Sequence, residues 1–187
     1  EMEKIKSWEI ITNIGKDIKS GWLKLAKKHG LKITVQGLDA MPNYSIKSPE
    51  NKEEWDNYLM FRWEILRKPL GMSKDSLADS IEDKSFHLMG IDDEEKVIAS
   101  GRVHFNCENE AQIRYMAVDD SFKRKGVGTE IVKELENYAQ SKGAIIMILN
   151  ARENAISFYL SLGYQEVGPY QSDTGIPHKT MKKNLVS

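Results

Sequence analysis

The sequence has a single cysteine, Cys107, among its 187 residues. One cysteine cannot form a disulfide within the chain, so a reducing compartment, the cytoplasm, is expected. A small residue in a strand or loop is a simpler interpretation of Cys107 than a nucleophile. No apolar run approaches the length that a membrane helix needs, and the basic, polar start does not resemble a signal peptide.

Excess charge of either sign is also missing, since Lys+Arg 27 and Asp+Glu 28 give a formal net charge of -1 at pH 7. With charges so balanced, the protein has no overall positive potential that would attract nucleic acid or a membrane surface. Only local patches of positive charge can bind polyanions. A hydrophobic content of 40% and a charged content of 29% are typical of a soluble globular protein. The length suits one domain, or one domain with an appendage.

A basic turn containing two glycines lies at residues 123–129, with the sequence Lys-Arg-Lys-Gly-Val-Gly-Thr. It follows an apolar, strand-like run and opens a helical pattern, and the first N–H groups of a helix can bind an anion. Gly126 and Gly128 lack Cβ atoms, so a phosphate can approach the backbone, and three successive cations attract a polyanion. The turn predicts a phosphate cradle; taken alone, a solvated loop explains it equally well.

The first part of the chain predicts a helix–strand appendage. Apolar residues at steps of three or four indicate an amphipathic helix over residues 8–28, which Gly30 ends. Residues 31–35 alternate like a short strand. We place a boundary near residues 39–43, which gives an appendage at 1–42 and a domain at 43–187.

The remaining residues alternate between strand and helix patterns. Strands are predicted at 44–47, 86–91, 97–105, 111–118, 144–149, 164–167 and 178–185, with a polar loop at 168–177. Helices are predicted from 48–51 to 66, at 127–142 and at 155–162, and a short helix or lid at 73–81. Because residues 144–149 are all apolar, they should form a central strand covered on both faces. The order predicts an α/β (α+β) fold, a mixed sheet with helices on both faces.

An acidic turn at residues 92–96 joins two of these strands into a predicted hairpin. Nothing in the sequence fixes its carboxylates in a coordination shell. We therefore interpret the turn as solvated and expect no metal site.

Two blocks occur in an informative order. Residues 123–128, Lys-Arg-Lys-Gly-Val-Gly, are followed by an asparagine block at 150–159 that contains Phe-Tyr, and then by Leu-Gly-Tyr at 162–164. Over about residues 44–185 the chain resembles the GCN5-related N-acetyltransferase (GNAT) superfamily, whose signature is Arg or Gln, two residues, Gly, one residue, then Gly or Ala. Lys123 departs from that signature at its first position. The resemblance implies a mostly antiparallel sheet whose fourth and fifth strands splay apart.

The resemblance also implies a track for acetyl-CoA. The pantetheine arm would bond to the backbone like an extra strand, and the pyrophosphate would bind the amides of residues 124–129. Tyr159 would act as the general acid that protonates the departing thiolate; the alternative is a core aromatic. Asn154 would bind the cofactor arm, and a helix N-cap is compatible with that role. The implied cofactor-binding residues are Met116, Ala117, Val118, Lys123, Arg124, Lys125, Gly126, Val127, Gly128, Thr129, Asn150, Asn154, Phe158 and Tyr159.

The activity implied is transfer of an acetyl group to a primary amine of a small molecule, by direct attack in a ternary complex, with CoA as product. A non-catalytic acyl-CoA-binding or regulatory module is the alternative. A nucleotide P-loop is disfavoured because residues 123–129 lack the Lys-Ser/Thr ending.

The acceptor side is less defined by the sequence. His104, His178 and Glu110 are candidates for the base, although a structural or surface histidine explains either histidine equally well. If any of Arg62, Arg67, Arg102 and Arg114 faces the acceptor cleft, a carboxylate-bearing substrate is expected; surface or sheet-edge arginines are the alternative.

A second resemblance concerns the appendage. Residues 14–37, within a segment of about 5–40, are similar to part of the C-terminal domain of class III pyridoxal-phosphate aminotransferases. The cofactor-binding lysine and the large domain are absent, so no transaminase activity is assigned. The resemblance implies one end of a covalent fusion in which a transaminase makes the amine; an ordinary helix and strand is the alternative. We expect a small-molecule amine as partner, neither nucleic acid nor membrane, and leave a homodimer open.

Overall fold

A computed structural model of the protein describes residues 7–35, 44–76, 78–172 and 174–186. The chain divides into two compact units, and each is described by itself: the first contains the N-terminal helix and the second contains nearly all of the sheet. No helix within the described ranges combines the length and the apolar character needed to cross a membrane.

The N-terminal unit contains the predicted helix, α1 (Ser7–Lys28). Gly30 ends it in the left-handed region with a φ of 67°, and the Leu31 N–H donates to the Ala26 carbonyl at 2.9 Å. The strand predicted at residues 31–35 is wrong, because these residues form no strand. An alternating pattern is stable as a strand only when a partner strand pairs with it. The predicted boundary at 39–43 lies outside the described residues.

The second unit is built on a 7-stranded sheet with the order β1-β2-β3-β4-β5-β7-β6. The pairs β2–β3, β3–β4, β5–β7 and β6–β7 are antiparallel, whereas β4–β5 is parallel. This confirms the predicted mixed, mostly antiparallel sheet. The strands are β1 (Tyr44–Lys47), β2 (Phe86–Asp92), β3 (Val97–Cys107), β4 (Glu110–Val118), β5 (Ile146–Arg152), β6 (Gln165–Gln171) and β7 (Pro177–Asn184).

Helices cover both faces of the sheet. Asn51 caps α2 (Lys52–Leu66) by accepting the Glu54 N–H at 3.0 Å, and α2 packs Tyr58 and Phe61 on Ala117 of β4. On the other face lies α3 (Val127–Ser141), which approaches β3 so closely that a Cβ on Gly101 would be 2.7 Å from Ile131. The short helix α4 (Ile156–Ser161) follows β5.

Two segments differ from their predicted form. The short helix or lid expected at 73–81 has no α-helix in its described residues; a short 3-10 turn occupies Lys74–Ser76, and another follows at Glu82–Lys84. Acidic side chains of this segment pair with arginines of the sheet and of α2, which holds the backbone in a non-helical path. Part of the polar loop expected at 168–177 is strand instead, because β6 continues to Gln171 and β7 begins at Pro177. As an edge strand, β6 can accommodate Pro169.

Candidate active site

The parallel pair β4–β5 opens along its length. Glu110 pairs with Ile146, and the pairing ends at Ile113 and Leu149. Just beyond, Tyr115 has a φ of 52°, and the register between β3 and β4 shifts, which marks a bulge in β4. The Ser100 hydroxyl donates to the Tyr115 carbonyl at 2.9 Å and holds the bulge in place. The splay implied by the family resemblance is therefore present.

The opening leaves one edge of β4 available. On the β3 side, Ala117 pairs with Ser100 and Val118 with Ala99. On the β5 side, residues 116–118 have no strand partner among the described residues. An extended chain such as a pantetheine arm can bond to that edge as an added strand.

The turn at residues 123–129 has the backbone of an anion site. Arg124 and Gly126 have φ values of 62° and 89°, and Gly126 is the N-cap of α3 without a side-chain capping bond. The first backbone bond of α3 runs from the Glu130 N–H to the Gly126 carbonyl at 3.0 Å. In the part of the chain that the structure describes, the N–H groups of residues 124–129 have no backbone acceptor. They are available to phosphate oxygens.

The cationic side chains of this turn make local contacts. Lys123, at the position where the signature has Arg or Gln, forms an ion pair with Asp120. The Lys125 ammonium lies 4.9 Å from the centre of the Phe122 ring. Lys123 is also more than half exposed, so the amides rather than this side chain define the cradle.

Three of the predicted cofactor-binding segments meet at Gly128. A Cβ built on Gly128 would lie 3.3 Å from Val118 Cγ2, and 3.5 Å from both Met116 Cε and Phe158 Cζ. The end of β4, the start of α3 and α4 are thus in direct contact. Any side chain at position 128 has to occupy the space where these segments converge.

Tyr159 lies on α4 beside this convergence. Its ring is buried and packs edge-on against Phe158 and Tyr164, with ring centres 5.0 Å and 5.7 Å away. Burial raises the pKa of the Tyr159 hydroxyl well above its usual value, so the group keeps its proton at neutral pH. Its hydroxyl makes no hydrogen bond to any described residue, in contrast to that of Tyr164, which donates to Glu136 at 2.8 Å.

The two asparagines of the second block differ in their surroundings. Asn150, on β5, accepts a hydrogen bond of 2.9 Å from the Thr180 hydroxyl on β7. Asn154 is exposed in a 3-10 turn and is not the N-cap of α4, a position that Ala155 occupies. The Asn154 side chain is therefore accessible to a ligand.

Arg62 and Arg102 are almost completely buried and bound to carboxylates. Glu82 pairs with both guanidinium groups, and Asp79 accepts two hydrogen bonds from Arg102 at 2.8 Å and 2.9 Å. Burial opposes the charge of Asp79, but Arg102 outweighs it and lowers the pKa of that carboxyl to about 2. Arg62 and Arg102 therefore form ion pairs inside the protein. Arg114 has a nitrogen 3.4 Å from the Asp79 carboxylate, which partly neutralises its charge.

The Tyr115 ring is the centre of this arginine cluster. The guanidinium carbons of Arg62, Arg102 and Arg67 lie 3.8 Å, 4.8 Å and 5.4 Å from the ring centre. Tyr115 can face them because the bulge turns both residues 114 and 115 toward the α2 face of the sheet.

The base candidates differ in where they lie along the β4–β5 pair. His178 is the direct partner of Arg152 at the open end, and its Nδ1 lies 2.7 Å from the Ile176 carbonyl. A carbonyl only accepts, so Nδ1 carries the hydrogen, and Nε2 of the neutral ring has a free lone pair. His104 is opposite Gln112, in the closed part, and burial with the charges of Arg102 and Arg114 lowers its pKa.

Glu110 is remote from the opening. It begins β4, pairs with Cys107 and accepts a hydrogen bond of 2.9 Å from Asn106. At about 3.4 Å per residue, Glu110 is roughly 20 Å along the strand from Met116. The structure therefore does not bring Glu110 or Cys107 together with Tyr159.

The sequence analysis does not predict the contacts of four residues near the opening. They are Asp79, Glu82, Tyr115 and Arg152. The two acids lie in a segment with a weak helical pattern, and their partners are distant in sequence. Arg152 does have a local signal, because it follows the apolar run 144–149 at the end of its strand.

Comparison with known proteins identifies relatives of the second unit. Residues 68–185 match the family model described as an acetyltransferase (GNAT) domain. The uncharacterized N-acetyltransferase YjcF of Bacillus subtilis (strain 168) is 31% identical over 136 residues, which cover 72% of this chain and 96% of YjcF.

Solved structures share the fold at lower identity. An aminoglycoside 6'-N-acetyltransferase complexed with coenzyme A has a TM-score of 0.65 and 16% identity, covering 76% of this chain and 98% of that chain. The ribosomal-protein-S18-alanine N-acetyltransferase from Escherichia coli has a TM-score of 0.62 and 18% identity, covering 78% and 96%. The family match begins at residue 68, so the likeness of residues 5–40 to an aminotransferase stays a prediction.

Proposed function

Because the chain belongs to the GNAT family of acetyltransferases, which use acetyl-CoA, we propose that it acetylates a primary amine of a small molecule by direct attack in a ternary complex. The observation that carries this proposal is the meeting of the open edge of β4, the cradle of α3 and Tyr159 in one region. These groups match the parts of one extended donor: an arm, a pyrophosphate and a thioester.

The chain's own groups fit the donor. The unpaired N–H groups of residues 124–129 suit the pyrophosphate, and the edge at 116–118 suits the arm. Gly128 keeps the space between Val118, Met116 and Phe158 free of a side chain. The Asn154 amide, exposed just before α4, is a further donor and acceptor for the arm.

Acetyl-CoA supplies an acetyl group activated as a thioester. As the amine nitrogen bonds to the acetyl carbon and the carbon–sulfur bond breaks, Tyr159 donates its hydroxyl proton to the leaving sulfur. A buried tyrosine with a raised pKa and no competing hydrogen bond to a described residue suits this task. The tyrosinate regains a proton from solvent after the product leaves.

The attacking amine has to lose a proton, and His178 is the base that we favour. Its Nε2 lone pair is free because Nδ1–H is held by the Ile176 carbonyl. The position of His178 opposite Arg152, at the open end of β5, supports this role over His104 and Glu110. A water molecule between the amine and Nε2 would serve the same transfer.

Direct transfer is preferred to an acyl-enzyme. Cys107 is the only cysteine of the sequence and lies at the hairpin that joins β3 to β4, at the closed end of the β4–β5 pair. It is too far from the opening to receive the acetyl group, since roughly 20 Å of strand separates them. The acetyl group would pass straight to the amine.

Replacing Gly128 by Val is expected to weaken binding of CoA and acetyl-CoA by about tenfold or more, because the new side chain fills the space between Val118, Met116 and Phe158. The measurement is the shift in unfolding temperature at a series of acetyl-CoA, CoA and ATP concentrations. Gly168→Val is the matched control, since a Cβ at Gly168 has no atom within 4 Å. A shift with ATP but with neither CoA species, in the unmodified chain, would overturn the assignment of the cradle.

A further inference from the structure

Two arginines at the open end of the site have no acidic partner in the part of the chain that the structure describes. Within the described residues, neither Arg67, at the end of α2, nor Arg152, at the end of β5, has a carboxylate within ion-pair distance. This distinguishes them from Arg62, Arg102 and Arg114, each of which pairs with Asp79 or Glu82. The cluster therefore has more positive than negative charge, and the excess lies toward the opening.

Arg67 is held in place but is not neutralised. Its side chain is only 9% exposed, and its buried Nε has no hydrogen-bond partner. Its terminal nitrogens have only long contacts, 3.6 Å to the Met72 sulfur and 3.5 Å to the Tyr115 hydroxyl. Leaving a buried guanidinium in this state costs free energy that an anionic ligand would offset.

Arg152 lies close enough to Arg67 for their positive charges to interact. One of its terminal nitrogens donates to the Leu66 carbonyl at 2.9 Å, which places its guanidinium beside the end of α2. Burial, and then the neighbouring charge of Arg67, lowers the pKa of Arg152. Two adjacent cations repel one another unless an anion lies between them, and paired guanidinium forks match the geometry of a carboxylate.

This pair also lies on the acceptor side of the site. Arg152 is opposite His178 in the β5–β7 register, so their side chains share a face of the sheet. The bond between Thr180 and Asn150, the next pair on that face, agrees with this placement. Arg67 reaches the same region through Tyr115, the bulge residue at which β4 leaves β5.

We propose that Arg67 and Arg152 form an anion-binding subsite that binds a carboxylate of the acceptor, so that the substrate class is amino acids or related amines with a carboxylate. This inference rests on the proposed function. It names Arg152, to which the family resemblance assigns no role, as a determinant of acceptor specificity. A neutral alkylamine would leave both guanidinium groups unpaired and bind more weakly.

The test uses pairs of amines that differ only in the carboxylate. Straight-chain ω-amino acids of increasing length, and L-lysine, are each compared with the amine that has a methyl group in place of the carboxylate. Acetyl transfer is followed by CoA thiol release, and binding is measured by calorimetry with saturating CoA. For at least one length we expect the carboxylate to improve kcat/KM and affinity by about tenfold to a hundredfold.

Variants then assign the effect. Arg67→Met and Arg152→Gln are expected to abolish the preference by raising KM for the amino acid, so that its kcat/KM falls to that of the methyl analogue in the same variant. Lys68→Met removes the same charge from the exposed neighbour of Arg67 and should leave the preference intact. If both arginine variants retain the preference, or if Arg67→Met weakens CoA binding tenfold, the subsite is not where we assign it.

The two proposals fail in different ways. If the chain acetylates amines but binds no carboxylate better than its methyl analogue, the subsite is overturned and the activity stands. If no amine is acetylated, the calorimetric comparison still decides the subsite. Binding of inorganic phosphate, lost in Arg67→Met and without any binding of the amino acids, would overturn the carboxylate assignment.

Discussion

Tyr159→Phe is expected to lower kcat by about 100-fold or more while KM for acetyl-CoA changes little. The variant removes one hydroxyl from a buried ring that packs on Phe158 and Tyr164, so the ring contacts remain. Burial raises the pKa of Tyr159, so loss of its proton should limit the reaction only above the range in which an ordinary tyrosine ionises. Steady-state kinetics of thiol release over a range of pH measures both effects.

Tyr164→Phe is the matched control, because the same atom is removed from the adjacent ring. The Tyr164 hydroxyl donates to Glu136, which also binds Lys183 at 2.7 Å, so its loss should lower stability by about 1 kcal/mol and leave kcat within about twofold. An unchanged kcat in Tyr159→Phe, with stability intact, would remove Tyr159 from the general-acid role.

Glu82→Ala is expected to destabilise the fold by about 3–5 kcal/mol. The change leaves Arg62 and Arg102, which are 1% and 0% exposed, without the carboxylate that joins them. Asp79 still binds Arg102, but Arg62 loses its bidentate partner. The free energy of unfolding is obtained from urea titration followed by fluorescence and circular dichroism.

The control for Glu82 is an exposed ion pair on the sheet. Glu166→Ala removes the partner of Lys179, and because both side chains are more than a third exposed, the expected change is within about 0.5–1 kcal/mol. If Glu82→Ala lowers the free energy of unfolding by no more than Glu166→Ala does, Glu82 does not stabilise the buried Arg62 and Arg102 as proposed.

Local signals in the sequence predict the backbone of the turn at residues 123–129. Gly126 and Gly128 between a strand and a helix predict free amides, and in the structure the N–H groups of residues 124–129 have no backbone acceptor. The apolar run that becomes β5 and the glycine-terminated helices likewise carry their own patterns. Such features depend on neighbouring residues and backbone geometry, so they can be read from a short stretch.

The acceptor side depends on contacts between distant residues. Tyr115 adopts a positive φ that no local preference favours for a tyrosine, and the Ser100 bond and the arginine cluster stabilise it. Glu82 binds Arg62 and Arg102, which lie 20 residues before it and 20 residues after it in the sequence. The sequence therefore indicates that arginines are present, but only the fold separates those bound to Asp79 and Glu82 from Arg67 and Arg152.

Transfer of an acetyl group from acetyl-CoA to a small primary amine is the activity that we propose for this chain. Its most direct test mixes the protein, acetyl-CoA and a panel of amines with and without carboxylates, and measures thiol release together with the mass of each amine. We expect at least one amine to gain an acetyl group in a one-to-one ratio with released CoA, at a rate that Tyr159→Phe lowers. Tight binding of acetyl-CoA with no amine-dependent thiol release across the panel would contradict it and favour a non-catalytic acyl-CoA-binding module.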